Sequence, residues 1–181
     1  MIEMQNDVVD IMAREITPHI IKIVERSDLS DFNPSERQKI TETIKILKNF
    51  KGSMSMDSNE ASIYAVFQYF FFRGLLHNYT TGSKNHGAFW HSPEIRIGLF
   101  ATDAFGDFYQ RLILDISQEQ GYFTKWDHKI CGGKPYADLG EQKGSGCQYN
   151  LIRSVLEANR FLEKKFGKDP ETWKWGRMHP S

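Results

Sequence analysis

Apolar residues recur along this chain at helical spacing, and in one stretch they cover almost the whole cylinder. Between Ala61 and Leu76, the residues Ile63, Phe67, Phe70, Phe71 and Leu75 step by three or four, while Tyr64, Tyr69 and Phe72 widen the stripe nearly to a full circle. No proline interrupts the run. Asp57 and Glu60 supply an N-cap and its N3 partner, so the pattern predicts a helix starting at Asp57. A helix apolar on nearly every side is buried on nearly every side, so this one is expected to hold the core.

Narrower stripes flank it. Val9, Met12, Ile16, Ile20 and Ile23 predict an amphipathic helix over 5–25, with Arg14, Glu15 and Lys22 outside and Pro18 expected to kink or split it. His19 beside that proline is read as a surface or kink residue. Asn33-Pro34-Ser35-Glu36 gives an N-cap, an N1 proline and an N3 glutamate for a helix buried through Ile40, Ile44 and Leu47 and ending near Gly52. Phe108, Leu112 and Ile116 predict a helix over 105–117. Leu151, Val155, Leu162 and Phe166 predict a last long one over 148–166, stopped by Gly167, after which Asp169-Pro170 caps a short turn carrying Trp173 and Trp175. Strand-like alternation is scarce and no repeats occur, so the fold class is mainly α.

Two segments break the pattern. Residues 78–94, with Thr80-Thr81-Gly82-Ser83-Lys84-Asn85-His86-Gly87, read as a long loop. Residues 121–146 hold six glycines and one proline and read as a glycine-rich excursion.

Length and charge narrow the classes of function. A chain of 181 residues suits one domain with a real core. Lys plus Arg and Asp plus Glu number 23 each, so the net charge is zero and the basic footprint of a nucleic-acid or anionic-membrane binder is missing. No apolar run reaches the roughly 18 residues of a membrane span. Residues 1–20 carry Glu3, Asp7, Asp10 and Glu15, unlike the basic start and apolar middle of a secretion signal.

Candidate chemistry is sparse. Gly132-Gly133-Lys134 lacks the spacing and the following Ser or Thr of a phosphate loop, because Pro135 comes next. Asp127, His128, Cys131 and Cys147 contain metal-ligand types at no established metal spacing, and Cys131 with Cys147 fits better as a disulfide in an oxidising compartment. Ser145, within Gly144-Ser145-Gly146, lacks the setting of a hydrolase nucleophile. His86 and His91 flank the aromatic pair Phe89-Trp90 and are read as packing residues. From the residues alone, no catalytic, cofactor-binding or metal site is assigned.

Several stretches nevertheless fall in a familiar order. Met4-Gln5-Asn6-Asp7 with Ala13 and Pro18, then Leu47 to Met54 running into Asp57-Ser58-Asn59-Glu60-Ala61-Ser62-Ile63-Tyr64, resembles the penicillin acylase (penicillin amidase) family. Ser154-Val155-Leu156-Glu157-Ala158, Phe166-Gly167-Lys168-Asp169-Pro170 and Trp173-Lys174-Trp175-Gly176-Arg177-Met178-His179 resemble that family's helix and the Trp-Gly-x-x-His signature after it. Phe50 stands where the family usually has tryptophan.

The resemblance implies an N-terminal nucleophile (Ntn) hydrolase of αββα architecture, cut into an α chain and a β chain. In such enzymes the β chain begins with the catalytic serine, whose own α-amine is the base. No serine here has that setting. The resemblance therefore implies one partial domain over 1–181: the helical segment of a β chain, without most of its sheet and without the family's oxyanion-hole residues and calcium site. No catalytic residue, cofactor or metal is expected in this chain, and its expected partners are the α chain and the N-terminal part of the β chain. His179 is expected to anchor rather than catalyse, and an apolar patch is expected where the missing sheets would pack. The competing expectation is a non-catalytic structural or interaction subunit derived from an acylase fragment.

Overall fold

The computed structural model describes residues 9–80, 103–118, 136, 140–141 and 143–178. Its helices are α1 (Ile11–Arg26), α2 (Pro34–Leu47), α3 (Asn59–Thr80), α4 (Asp103–Gln118) and α5 (Cys147–Phe166), followed by 3-10 turns at Pro170–Thr172 and Trp175–Met178. The fold is mainly helical. Among the described residues the only β pairing is an isolated antiparallel bridge between Val9 and Ser53. Two compact units divide the chain: Met1–Phe71 with Leu151–Ser181, and Phe72–Asn150.

In the first unit, α1 buries Ala13, Ile16, Thr17, Ile20, Ile23 and Val24. Its apolar stripe is thus shifted from the expected one, since Val9 is 41% exposed. Pro18 does not split the helix. Pro18 lies on the solvent face, where water can serve the carbonyl that loses its N–H partner, and Thr17 Oγ1 donates to Ala13 C=O at 2.6 Å on the buried side. Helix α2 starts as its sequence predicts, with a complete capping box: Asn33 Oδ1 accepts from Glu36 N–H at 3.0 Å, and Glu36 Oε2 accepts from Asn33 N–H at 2.9 Å. It ends at Leu47, earlier than expected. Gly52 is not its cap but a separate tight point, with φ +82° and room only for hydrogen, because a Cβ there would lie 2.5 Å from the Asp10 carbonyl oxygen.

The aromatic helix is one residue out of register with its predicted start. Ser58, not Asp57, caps it, its Oγ accepting from Ala61 N–H at 3.0 Å. Ile63, Tyr64, Phe67 and Phe71 are essentially inaccessible. Phe67 and Phe71 stack at 5.8 Å, Phe50 meets Tyr64 at 5.5 Å, and Phe70 meets Phe161 of α5 edge-on at 6.3 Å. The stripe is buried against this chain's own residues, as a helix apolar on nearly every side requires. Fully burying each such side chain is worth about 1.5–3 kcal/mol.

Helix α5 is buried on most sides from Leu151 to Asn159 and carries Arg153, Ser154, Glu157 and Asn159 inside along with its apolar face. Gly167 ends it in the left-handed conformation at φ +97°, with its N–H on Glu163 C=O at 2.9 Å. Asp169 then caps the first 3-10 turn through Glu171 N–H at 3.0 Å. Trp173 is buried at 1% exposure, and its Nε1 donates to Gly167 C=O at 2.8 Å, while Trp175 is half-buried. The tail is fastened to the turn before α3 by Trp175 N–H on Ser58 C=O at 2.9 Å and Gly176 N–H on Met56 C=O at 2.8 Å.

In the second unit, Tyr109, Leu112 and Ile113 form the buried side of α4, and Phe72 of α3 packs on Tyr109 with ring centroids 5.0 Å apart. Tyr136 is buried, and its hydroxyl donates to Asn150 C=O at 3.3 Å. Gly74, within α3, leaves space for that phenol: a Cβ there would be 2.7 Å from the Tyr136 oxygen.

Candidate functional site

Most residues singled out in the sequence for chemistry, namely His86, His91, Asp127, His128, Cys131, Gly132 to Lys134 and His179, lie outside the described residues. Ser145 is exposed just before α5, and its hydroxyl makes no hydrogen bond among the described residues. Cys147 is buried and disulfide-bonded; Cys131 is the only other cysteine of the sequence. His19 is half-buried on α1, and burial, with Lys22 nearby, holds its pKa below the ordinary histidine value. Among the described residues no three His, Cys, Asp or Glu side chains are grouped to hold a metal ion, and no helix is long and apolar enough to cross a membrane.

The densest chemistry among the described residues is a charged cluster where α5 meets the start of α2. Helical spacing places Arg153, Glu157 and Arg160 along one side of α5. Glu157 Oε1 lies 2.7 Å from Arg153 Nε and 2.8 Å from Arg160 Nη1. The Arg153 contact brings opposite charges together without an aligned hydrogen bond, whereas the Arg160 contact is a hydrogen bond. Arg160 Nη2 also donates to Glu36 Oε1 at 2.7 Å, and Arg153 Nη1 is 3.9 Å from the same oxygen. The side chains of Arg153 and Glu157 are 3% and 5% exposed, and that of Arg160 is 34% exposed.

This arrangement balances two carboxylates against two guanidiniums. Glu36 has one oxygen on Arg160 and the other on the Asn33 amide, so neither is presented to a substrate. A general acid or base must reach a reacting proton, and an electrophilic guanidinium must face a cavity. Here the charges face one another, and the chemistry the cluster performs is cross-linking. Two further contacts extend it: Asn159 Nδ2 donates to Thr43 Oγ1 at 3.0 Å, and Lys39 pairs with Glu163.

A groove of about 520 Å³ lies elsewhere on the same unit, lined by Val24, Glu25, Ser27, Leu29, Thr41, Ile44, Lys45 and Lys48. Its walls come from the C-terminal parts of α1 and α2, and the Lys48–Glu25 ion pair stands at its exposed rim. It contains no nucleophile–base pair.

Sequence reasoning missed the charged cluster. The i, i+4 and i, i+3 spacing of Arg153, Glu157 and Arg160 was a readable signal of mutual pairing. Glu36 was legible only as a capping residue, since nothing local joins it to a helix more than a hundred positions later.

No curated protein and no solved structure matches the chain. The family model described as penicillin amidase matches residues 1–181, its whole length. The chain therefore belongs to the penicillin amidase family.

Proposed function

We propose that the chain is the helical part of the β chain of an acylase-like amidohydrolase, which cleaves linear amide bonds through an acyl-enzyme on an N-terminal serine carried by sequence outside these residues. The observation that carries this reading is the end-to-end family match. The charged cluster supports it, because among the described residues the buried Arg153 and Glu157 are engaged with each other and Arg160 with Glu36.

In the proposed reaction the serine oxygen attacks the amide carbonyl while the serine's own α-amine takes its proton and hands it to the departing amine. Water then releases the acid from the ester by the same route. Residues 1–181 contribute a partial domain, the scaffold against which the α chain and the N-terminal part of the β chain assemble.

The test is turnover of a chromogenic phenylacetyl amide by the purified chain, alone and together with upstream coding sequence processed to begin at serine. Activity is expected only in the second case. Turnover by the chain alone overturns the reading. An upstream frame with no nucleophile-bearing segment would instead make this a non-catalytic interaction subunit.

A further inference from the structure

Tyr136 belongs to a glycine-rich stretch and is nevertheless fully buried. Between Cys131 and Cys147, five of the fifteen residues are glycine, the residue that loses most backbone freedom on ordering. The Tyr136 hydroxyl donates to Asn150 C=O at 3.3 Å, and its oxygen fills the notch left by Gly74 of α3. Burying one ring offsets the backbone entropy of only about one or two residues. A stretch this rich in glycine therefore needs a further restraint to keep the ring in place.

A covalent bond supplies that restraint. Cys147, the first residue of α5, is disulfide-bonded, and Cys131 is the only other cysteine of the sequence. Asn150, whose C=O receives the phenol, lies in the same first turn, with its own N–H on Gly146 C=O at 2.9 Å. The disulfide and the phenol thus grip one turn of α5, and Tyr136 follows Cys131 by only a few residues. Joining Cys131 to that turn raises the effective concentration of the ring beside its notch. Closing a loop of about 15 residues by a disulfide favours the ordered arrangement on the order of 100-fold.

We propose that the Cys131–Cys147 bond is a redox-sensitive latch on the second unit: made in an oxidising compartment, it keeps Tyr136 seated between Gly74 and Asn150, and its reduction releases the ring. To close the latch, the two thiols pass two electrons and two protons to a disulfide such as oxidised glutathione, whose own S–S bond breaks into two thiols. A dithiol reverses the exchange. The effect is confined to one unit, because every residue named here lies within Phe72–Asn150 and the first unit contains no cysteine. Release uncovers the Gly74 side of α3 and takes a hydrogen bond from the first turn of α5.

Amide hydrogen exchange of the intact protein, read by mass spectrometry before and after dithiothreitol, tests this. After reduction, the peptide containing Tyr136 and the one covering the first turn of α5 should exchange at least tenfold faster, while α2 stays unchanged. Oxidised glutathione should restore the slow exchange. Cys131→Ser should exchange like the reduced protein without any reductant, and oxidised glutathione should not slow it. Equal exchange at Tyr136 in the two states overturns the latch, since the notch then holds the ring unaided. Faster exchange throughout α2 as well, or a Cys131→Ser variant that does not fold, also overturns it, because the bond is then a condition of the whole fold. So does a species of two chains on a non-reducing gel that dithiothreitol converts to one.

Discussion

Glu36 and Arg160 are joined at 2.7 Å across 124 positions of sequence, while the other oxygen of Glu36 closes the capping box on Asn33. One side chain thus fixes where α2 begins and where α5 lies against it. Removing it opens the box and leaves the nearly inaccessible Arg153 with one carboxylate fewer nearby. Glu36→Ala is expected to cost about 2–4 kcal/mol, and Glu157→Ala about 3–5 kcal/mol, because each breaks a largely buried pairing. Arg160→Ala, a third exposed, should cost less than Glu157→Ala, about 1–3 kcal/mol, because it takes a hydrogen bond from buried Glu157 and one from Glu36 while Arg153 still faces Glu157. Urea unfolding of the three variants gives the ranking, and an Arg160 variant less stable than the Glu157 variant would contradict this account.

Phe67 is inaccessible and stacked on Phe71. Phe67→Ala should destabilise the fold by about 3–5 kcal/mol, through lost transfer energy and the cavity left behind. A midpoint of denaturation equal to the parent's would mean that the stack is not part of the cooperative core.

Gly74 sets two effects against each other. Alanine in a helix interior gains about 1 kcal/mol over glycine. Here the new methyl would meet the Tyr136 oxygen at 2.7 Å and its ring carbon at 3.3 Å, and the hydroxyl is tied to Asn150. Overpacking of about 1–3 kcal/mol should outweigh the propensity gain, so Gly74→Ala is expected to be destabilising. Adding Tyr136→Phe removes the clashing oxygen. A double-mutant cycle should show coupling of at least 0.5 kcal/mol in the relieving direction, and strict additivity would separate the two residues.

His19 gives a dependence on pH. Its folded-state pKa lies below the ordinary histidine value, chiefly through burial and then through repulsion by Lys22. Folding therefore favours the neutral ring. The stability from this group is fully present above the unfolded value and is lost as pH falls through the folded one. Histidine NMR titration should place His19 below an unstructured histidine, and Lys22→Gln should move it upward. A titration above the ordinary value would reverse the sign.

Asp28 titrates low because the Ser30 hydroxyl and then the Ser30 backbone N–H donate to its carboxylate, at 2.8 Å and 2.9 Å. Ser30→Ala removes the larger of these contributions and should raise the Asp28 pKa in a carboxyl-resolved NMR titration. No change would show that the backbone contact alone sets it.

What could be read from the sequence was whatever depends on near neighbours. The aromatic run from Ile63 to Leu75, the capping box of Asn33 and Glu36, the left-handed Gly167 and the Asp169-Pro170 turn are all decided within a few residues, and all are present. Misreadings arose where distant residues decide. Gly52 suits a helix end by local rules, but its conformation answers to Asp10 and Arg14, 42 and 38 positions earlier. Pro18 is harmless because its face is the solvent one, a fact set by what packs on the opposite side. The buried charges of α5 look like an ordinary solvated face until Glu36 is placed beside them.

The fastening of Trp175 and Gly176 to Ser58 and Met56 bears on how the molecule is made. The unit that contains α1, α2 and the start of α3 is completed only by Leu151–Ser181, so its first part leaves the ribosome more than a hundred residues before the strand of tail that closes it. Until then the aromatic face of α3 has no α5 to cover it, and the nascent chain carries an open hydrophobic surface while residues 72–150 are made. Folding of this unit is thus a late closure, one that waits for Leu151–Ser181 to emerge.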